Sequence, residues 1–200
     1  MAEPEFLVAG LGNPGPEYDN TPHNLGFLTV DRLAERHNIR ITRPESKALV
    51  GVGQVASRSV MLAKPQTFMN LSGSSVKGLL SKYGLTPANL LVVYDELDLP
   101  WGSMRIKPKG SAGGHHGMED LIRSLGSVDF ARLRLGIHPG RPVRDGAQYV
   151  LAPFRSAQKQ DLDNLLSLAA EAVESILAVG VVKAMTAYNR RAQGSTEEAE

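Results

Sequence analysis

The chain has no cysteine. That excludes disulfides and thiolate-ligated metal centres, and nothing in its residue usage marks an oxidising compartment. No apolar run approaches the ~20 residues that a membrane-spanning helix needs. The opening Met1-Ala2-Glu3-Pro4-Glu5 is acidic where a secretory leader is cationic, so the expectation is a cytoplasmic protein without membrane contact. A charge bias is missing too: 22 Lys/Arg stand against 21 Asp/Glu, which argues against a surface that coats nucleic acid indiscriminately. What is present is ordinary for a globular fold. Two hundred residues, 42% of them hydrophobic, suffice for one full core, so a single domain is expected over residues 1–191, followed by a disordered acidic tail over 192–200. No interface stripe is evident, and a monomer is the default expectation.

The balanced total hides an uneven distribution. Residues 102–144 hold 8 Lys/Arg against 3 Asp/Glu, a local excess of +5, while the segments on either side are slightly acidic. A confined basic segment points to a local phosphate or anion site, although a solvated basic face would look the same on charge alone.

Short apolar runs at Phe6–Ala9 and Leu90–Tyr94, closed by Gly10 and Asp95, predict buried strands. Two more are expected around Val50–Val55 and Val60–Leu62, joined near Ser57-Arg58. Met104 and Ile106 alternate with basic residues, as do Leu133, Leu135 and Ile137 with Arg132 and Arg134, which predicts half-exposed strands with basic outer faces. Helical spacing appears over about 22–36, from Val76 to a stop at Gly84, over 162–177, and more briefly over 182–189. Residues 110–117 look like a mobile glycine connector. Strands and helices alternate, so the fold class is α/β: one domain with a twisted mixed sheet flanked by helices.

Gly10-Leu11-Gly12-Asn13-Pro14-Gly15 fits the glycine pattern of a dinucleotide-binding turn placed directly after a strand. The continuation disagrees. Pro14, Pro16, Asp19, Asn20 and Pro22 keep the chain irregular where that turn should enter a helix, and no second strand ending in an acid follows at the usual distance. No dinucleotide is expected; the loop presents polar groups instead, among them Asn13, Tyr18 and His23. Thr21 as N-cap and Pro22 at the first position place His23 in the first helical turn, where the helix dipole favours a neutral imidazole able to accept a proton. Alone, such a histidine is more often structural.

Several blocks, in order and at matching separations, change that balance. They are Gly10–Gly15 with Tyr18, Thr21-Pro22-His23-Asn24, Thr67 through Gly73, Asp95-Glu96-Leu97-Asp98-Leu99-Pro100 and Gly114-His115-His116-Gly117. Together they resemble the bacterial peptidyl-tRNA hydrolases, from about residue 6 to 190. The resemblance implies an esterase that frees tRNA from a peptide, without metal or other cofactor. It makes His23 the catalytic base and Asp95 the group that orients it, a pairing that fixes the tautomer and supports the imidazolium. Asn13 would hold the scissile carbonyl region, since an amide can donate to a developing oxyanion. Asn70 would bind the peptide main chain, with Phe68 and Met69 lining its pocket, and Tyr18 would contact the tRNA end. Arg105, Lys107 and Arg134 fall at positions assigned to tRNA phosphates. His116 occupies a substrate-contact position where most members carry asparagine, and Pro22 stands where they carry arginine.

With no cysteine and no serine elbow, direct attack by an activated water is the expected route. His115 is expected to be an exposed loop residue, and Glu96 and Asp98 to be loop or turn carboxylates. Read as a metal site, His23, Asp95, His115 and His116 lack the helical spacing of paired histidine ligands. One rival of another class is a non-catalytic RNA-binding relative, since the fold also resembles plant organelle splicing factors. A weaker one is an esterase unrelated to tRNA.

Overall fold

The computed structural model describes residues 2–197, with side chains described for residues 2–189. Its strands are β1 (Phe6–Gly10), β2 (Arg43–Glu45), β3 (Ala48–Val55), β4 (Arg58–Pro65), β5 (Leu90–Pro100), β6 (Met104–Lys107) and β7 (Ala131–His138). They form one sheet in the order β2-β3-β4-β1-β5-β7-β6. The central four run parallel. β3 and β2 continue one side antiparallel, and β6 closes the other side antiparallel to β7.

The helices are α1 (Leu25–Arg36), α2 (Ser72–Lys82), α3 (His116–Leu125), α4 (Gly146–Val150), α5 (Ser156–Val179) and α6 (Val181–Glu197). The two-residue period of the strands sorts their side chains between two cores. Val8, Leu62, Leu91 and Val93 pack with Leu25, Val30 and Leu33 of α1 and with Leu166, Ala169 and Val173 of α5. Leu7, Ala9, Met61 and Val92 face the other way, toward Val76 and Leu79 of α2 and Met118 and Leu121 of α3. Covered on both faces, the central strands carry continuous apolar runs, as parallel strands in α/β proteins do. None of the helices is long and apolar enough to cross a membrane among the described residues.

Close approach sets the position of α1. A Cβ on Gly26 would collide with the backbone nitrogen of Leu11 and the carbonyl oxygen of Val93, so only glycine lets the helix lie directly on the end of β1 and on β5 beside it. The helix start is thereby brought to the strand that carries Asp95.

Several expectations need correction. Helix 22–36 begins as a 3-10 turn, Pro22–Asn24, before α1. Thr21 makes no capping bond with its side chain; its hydroxyl donates to the Tyr18 carbonyl at 2.8 Å. β5 does not end at Asp95 but continues to Pro100, with a register irregularity against β7 between Glu96 and Pro100. The glycine connector gives way to α3 at His116, a helix the sequence reading lacked. The presumed tail is helical as far as Glu197, and residues 198–200 lie outside the described residues. α6 also protects the exposed edge of the sheet: the Asn189 amide accepts from Ile106 N–H (2.9 Å) and donates to its carbonyl (3.0 Å), occupying the outer edge of β6.

Candidate active site

Leu91, Val93 and Asp95 share one face of β5 by strand periodicity, the face on which α1 lies. The Asp95 carboxylate, 3% exposed, ends that apolar column. His23 meets it there: its Nδ1 lies 2.9 and 3.0 Å from the two carboxylate oxygens. Nδ1–H donates to the carboxylate, so Nε2 carries the lone pair, and it has no hydrogen-bond partner among the described residues.

The electrostatics oppose one another. Burial alone lowers the basicity of His23, but the charge of Asp95 and its hydrogen bond outweigh that, and the imidazole titrates above its ordinary value. The neutral form is thus not favoured as the helix-dipole reading expected, because a direct carboxylate contact is stronger than the end of a helix that starts two residues later. Burial likewise pushes the Asp95 carboxyl up, yet the two imidazoles beside it hold it well below the usual carboxylate range.

The second imidazole belongs to His115. Its side chain is 7% exposed, and Nε2 sits 3.0 Å from Asp95 Oδ1. His115 caps α3, where its Nδ1 accepts from Met118 N–H at 3.3 Å, so the hydrogen on Nε2 faces the carboxylate. Its ring lies against Tyr94 and 4.9 Å from the His23 ring, centre to centre. The expectation of an exposed loop residue is therefore wrong: Gly113 and Gly114, both in left-handed conformation, turn the chain back and fold His115 inward. His116, the next residue, is exposed on the first turn of α3.

Polar atoms of His23, Asp95 and His115 lie within 4.8 Å of one another, a spacing that would suit a metal ion. Both imidazoles, however, point N–H donors at the carboxylate, and a cation would have to displace those protons. As built, the cluster holds protons.

Asn13 is bound to Asn24, the residue after His23, and is 7% exposed. Its backbone N–H donates to Asn24 Oδ1 (2.8 Å), Asn24 Nδ2 donates to its carbonyl (3.0 Å), and its own Oδ1 accepts from Met69 N–H (2.7 Å). That last bond fixes the amide orientation and leaves Nδ2 without a protein partner among the described residues, free to donate. Asn24, adjacent to His23, is a positioning residue that the sequence reading missed although it lies within the quoted block.

The Met69 bond ties the 3-10 turn Met69–Leu71 to the same loop. Phe68 is 60% exposed, Asn70 is exposed, and Met69 is buried in the core with its sulfur over Gly117. Met69 thus supports the rim from beneath, while Phe68 and Asn70 face outward. Tyr18 is half-buried in the loop before His23.

The basic residues divide. Arg105 pairs across the strands with Arg134, and Lys107 with Arg132. Arg105 and Lys107 are partly exposed and have no ion pair among the described residues. Arg134 instead donates through Nε (2.9 Å) and Nη2 (2.7 Å) to Glu96, which is buried on β5 and not a loop carboxylate. Arg132 is not on a basic outer face at all. It is 1% exposed, donates to the carbonyls of Ser111, Val128 and Phe130, and stacks on the Phe130 ring.

A family model described as peptidyl-tRNA hydrolase matches residues 7–197. A peptidyl-tRNA hydrolase of Solibacter usitatus is 58% identical over 193 residues, which is 96% of this chain and 98% of that protein. The chain belongs to the peptidyl-tRNA hydrolase family. Another peptidyl-tRNA hydrolase, from Carboxydothermus hydrogenoformans, is 53% identical over 92% of this chain and 98% of its own length. The crystal structure of peptidyl-tRNA hydrolase from Acinetobacter baumannii superposes with a TM-score of 0.84 at 35% identity, covering 93% of this chain and 96% of that one. The α/β fold with its seven-stranded mixed sheet is thus a peptidyl-tRNA hydrolase fold, and the close juxtaposition of His23 and Asp95 lies within it.

Proposed function

We propose that this chain hydrolyses the ester between the carboxyl end of a peptide and the terminal ribose of tRNA, with water as the nucleophile and His23 as the base. The observation that carries the reading is the buried bond from His23 Nδ1 to Asp95, which directs a lone pair on Nε2 outward. Nε2 takes a proton from water as its oxygen attacks the ester carbonyl. Asp95 stabilises the resulting imidazolium, and Asn13 Nδ2 donates to the oxyanion. Collapse of the tetrahedral intermediate expels the ribose oxygen, which takes the proton back from the imidazolium.

Asn70 and the exposed Phe68 ring grip the peptide, Tyr18 meets the tRNA end, and His116 contacts substrate from the first turn of α3. Arg105 and Lys107 take tRNA phosphates, and Arg134, bound to Glu96, adds positive potential beside them. A purely RNA-binding role would leave the His23–Asp95 pair and the oriented Asn13 amide without a task.

The test is hydrolysis of N-blocked aminoacyl-tRNA beside the unblocked form. Wild type should cleave the blocked ester preferentially. His23→Ala should lose about 10³–10⁴-fold in kcat, as expected for removing a general base, while circular dichroism and tRNA binding stay near wild type. Undiminished turnover in that variant would overturn the mechanism.

A further inference from the structure

Immediately after β7, the segment from Pro139 to Arg155 encloses a cavity of about 350 Å³ lined by Arg141, Arg144, Arg155, Tyr149 and Gln148. Six other arginines among the described residues have a carboxylate within ion-pairing distance. The three lining this cavity have none among the described residues, and the Asp145 carboxylate beside them accepts from Gln148 N–H. Asp145 also lines the cavity, so three exposed arginines stand against one carboxylate, and the net positive lining suits an anion. The guanidinium fork matches the paired oxygens of a phosphodiester.

The cavity is fastened to the catalytic segment. Phe154 N–H donates to Asn20 O at 2.9 Å, three residues before His23, and α4 packs on the Pro22–Asn24 turn. The Tyr149 hydroxyl, which forms part of its wall, donates to Ile137 O at 2.6 Å and accepts from Gln158, so the wall is braced from both sides. Arg105 and Lys107 are not in its lining; they stand on β6 opposite Arg134 and Arg132 of β7.

We propose that this cavity binds a phosphodiester of the single-stranded 3′ end of the substrate, holding the terminal ribose in reach of His23. The proposal rests on the esterase reading above. It divides the work: Arg105 and Lys107 meet the tRNA body, whereas Arg141, Arg144 and Arg155 meet the linkage nearest the scissile ester.

Three N-acyl-aminoacyl esters separate these roles: one of adenosine, without phosphate; one of the trinucleotide CpCpA; and one of full tRNA. In the triple variant Arg141→Gln, Arg144→Gln, Arg155→Gln, kcat/KM for the trinucleotide ester relative to the adenosine ester should fall about tenfold or more, the loss expected from charged hydrogen bonds to phosphate. Binding of free CpCpA should weaken by a similar factor. Replacing Arg105 and Lys107 should instead lower the ratio of the tRNA ester to the trinucleotide ester. An unchanged trinucleotide-to-adenosine ratio in the triple variant would overturn the proposal, and so would equal losses on both small esters, which would mean that the arginines act only on the shape of the segment. If wild type cleaved none of the three esters, the esterase reading itself would fail.

Discussion

At His23 two influences compete, and their balance predicts a pH profile. Burial favours the neutral imidazole; Asp95 favours the charged one and prevails, so the group titrates above its ordinary value of 6.5. In the proposed mechanism the neutral form is the base, so activity should rise with pH through that raised value and fall away on the acid side. In Asp95→Asn the raising influence is gone and burial remains, so the acid limb should move to lower pH. The plateau should drop by about 10³–10⁴-fold, because an amide can hold the ring in the wrong tautomer. A kcat profile across pH 5–9 checks both changes, and an acid limb that stays in place would show that Asp95 does not set the basicity of His23. The meeting of His23 with Asp95 was legible in the sequence because each sits in a block with distinctive neighbours. His115 was not. Two adjacent histidines among glycines carry no sign of which one turns inward, and the choice is made by contacts 20 residues away, with Asp95 and Tyr94.

On β7 the alternation of apolar and basic residues located the strand correctly and misjudged its surface. Period-two spacing shows which side chains share a face, but not whether another segment covers that face. Here Leu133 and Leu135 pack into the core that holds α5, and on the opposite face Arg132 lies beneath the segment 110–115, which it binds through Ser111 O. α3 was hidden for a related reason. Met118, Leu121, Ile122 and Leu125 have helical spacing, but the glycines before them suggested a loop. Arg132 thus fastens the segment from which His115 projects. A lysine there would keep a buried charge yet could not reach three carbonyls with one small head group. Arg132→Lys should destabilise the protein by about 1–3 kcal/mol, and each kcal/mol corresponds to a Tm loss of about 2–4 °C in a chain of this size. It should also lower kcat more than it raises KM, since His115 would lose its footing. Thermal unfolding and steady-state hydrolysis test this, and an unchanged Tm would show that the segment holds without its anchor.

Across the whole molecule, a net charge of +1 conceals a polarity that the fold redistributes. The basic excess of residues 102–144 includes Arg132, which is buried, and Arg134, which is paired with Glu96, so neither offers a free charge at the surface. What remains on the β6 edge is Arg105 and Lys107, partly exposed and without ion pairs among the described residues. Two such cations predict a limited electrostatic footprint, since each phosphate contact contributes about 0.7–0.9 to the slope of log affinity against log salt concentration. Replacing both with alanine should therefore weaken binding of uncharged tRNA and reduce the magnitude of that slope by about 1.4–1.8. Titrations of the double variant and wild type at several potassium chloride concentrations measure it directly. A slope equal to that of wild type would mean that tRNA phosphates meet the protein elsewhere. The exposed arginines after β7 would then be the first alternative, because among the described residues they are cations without ion pairs on a segment fastened to the one that carries His23.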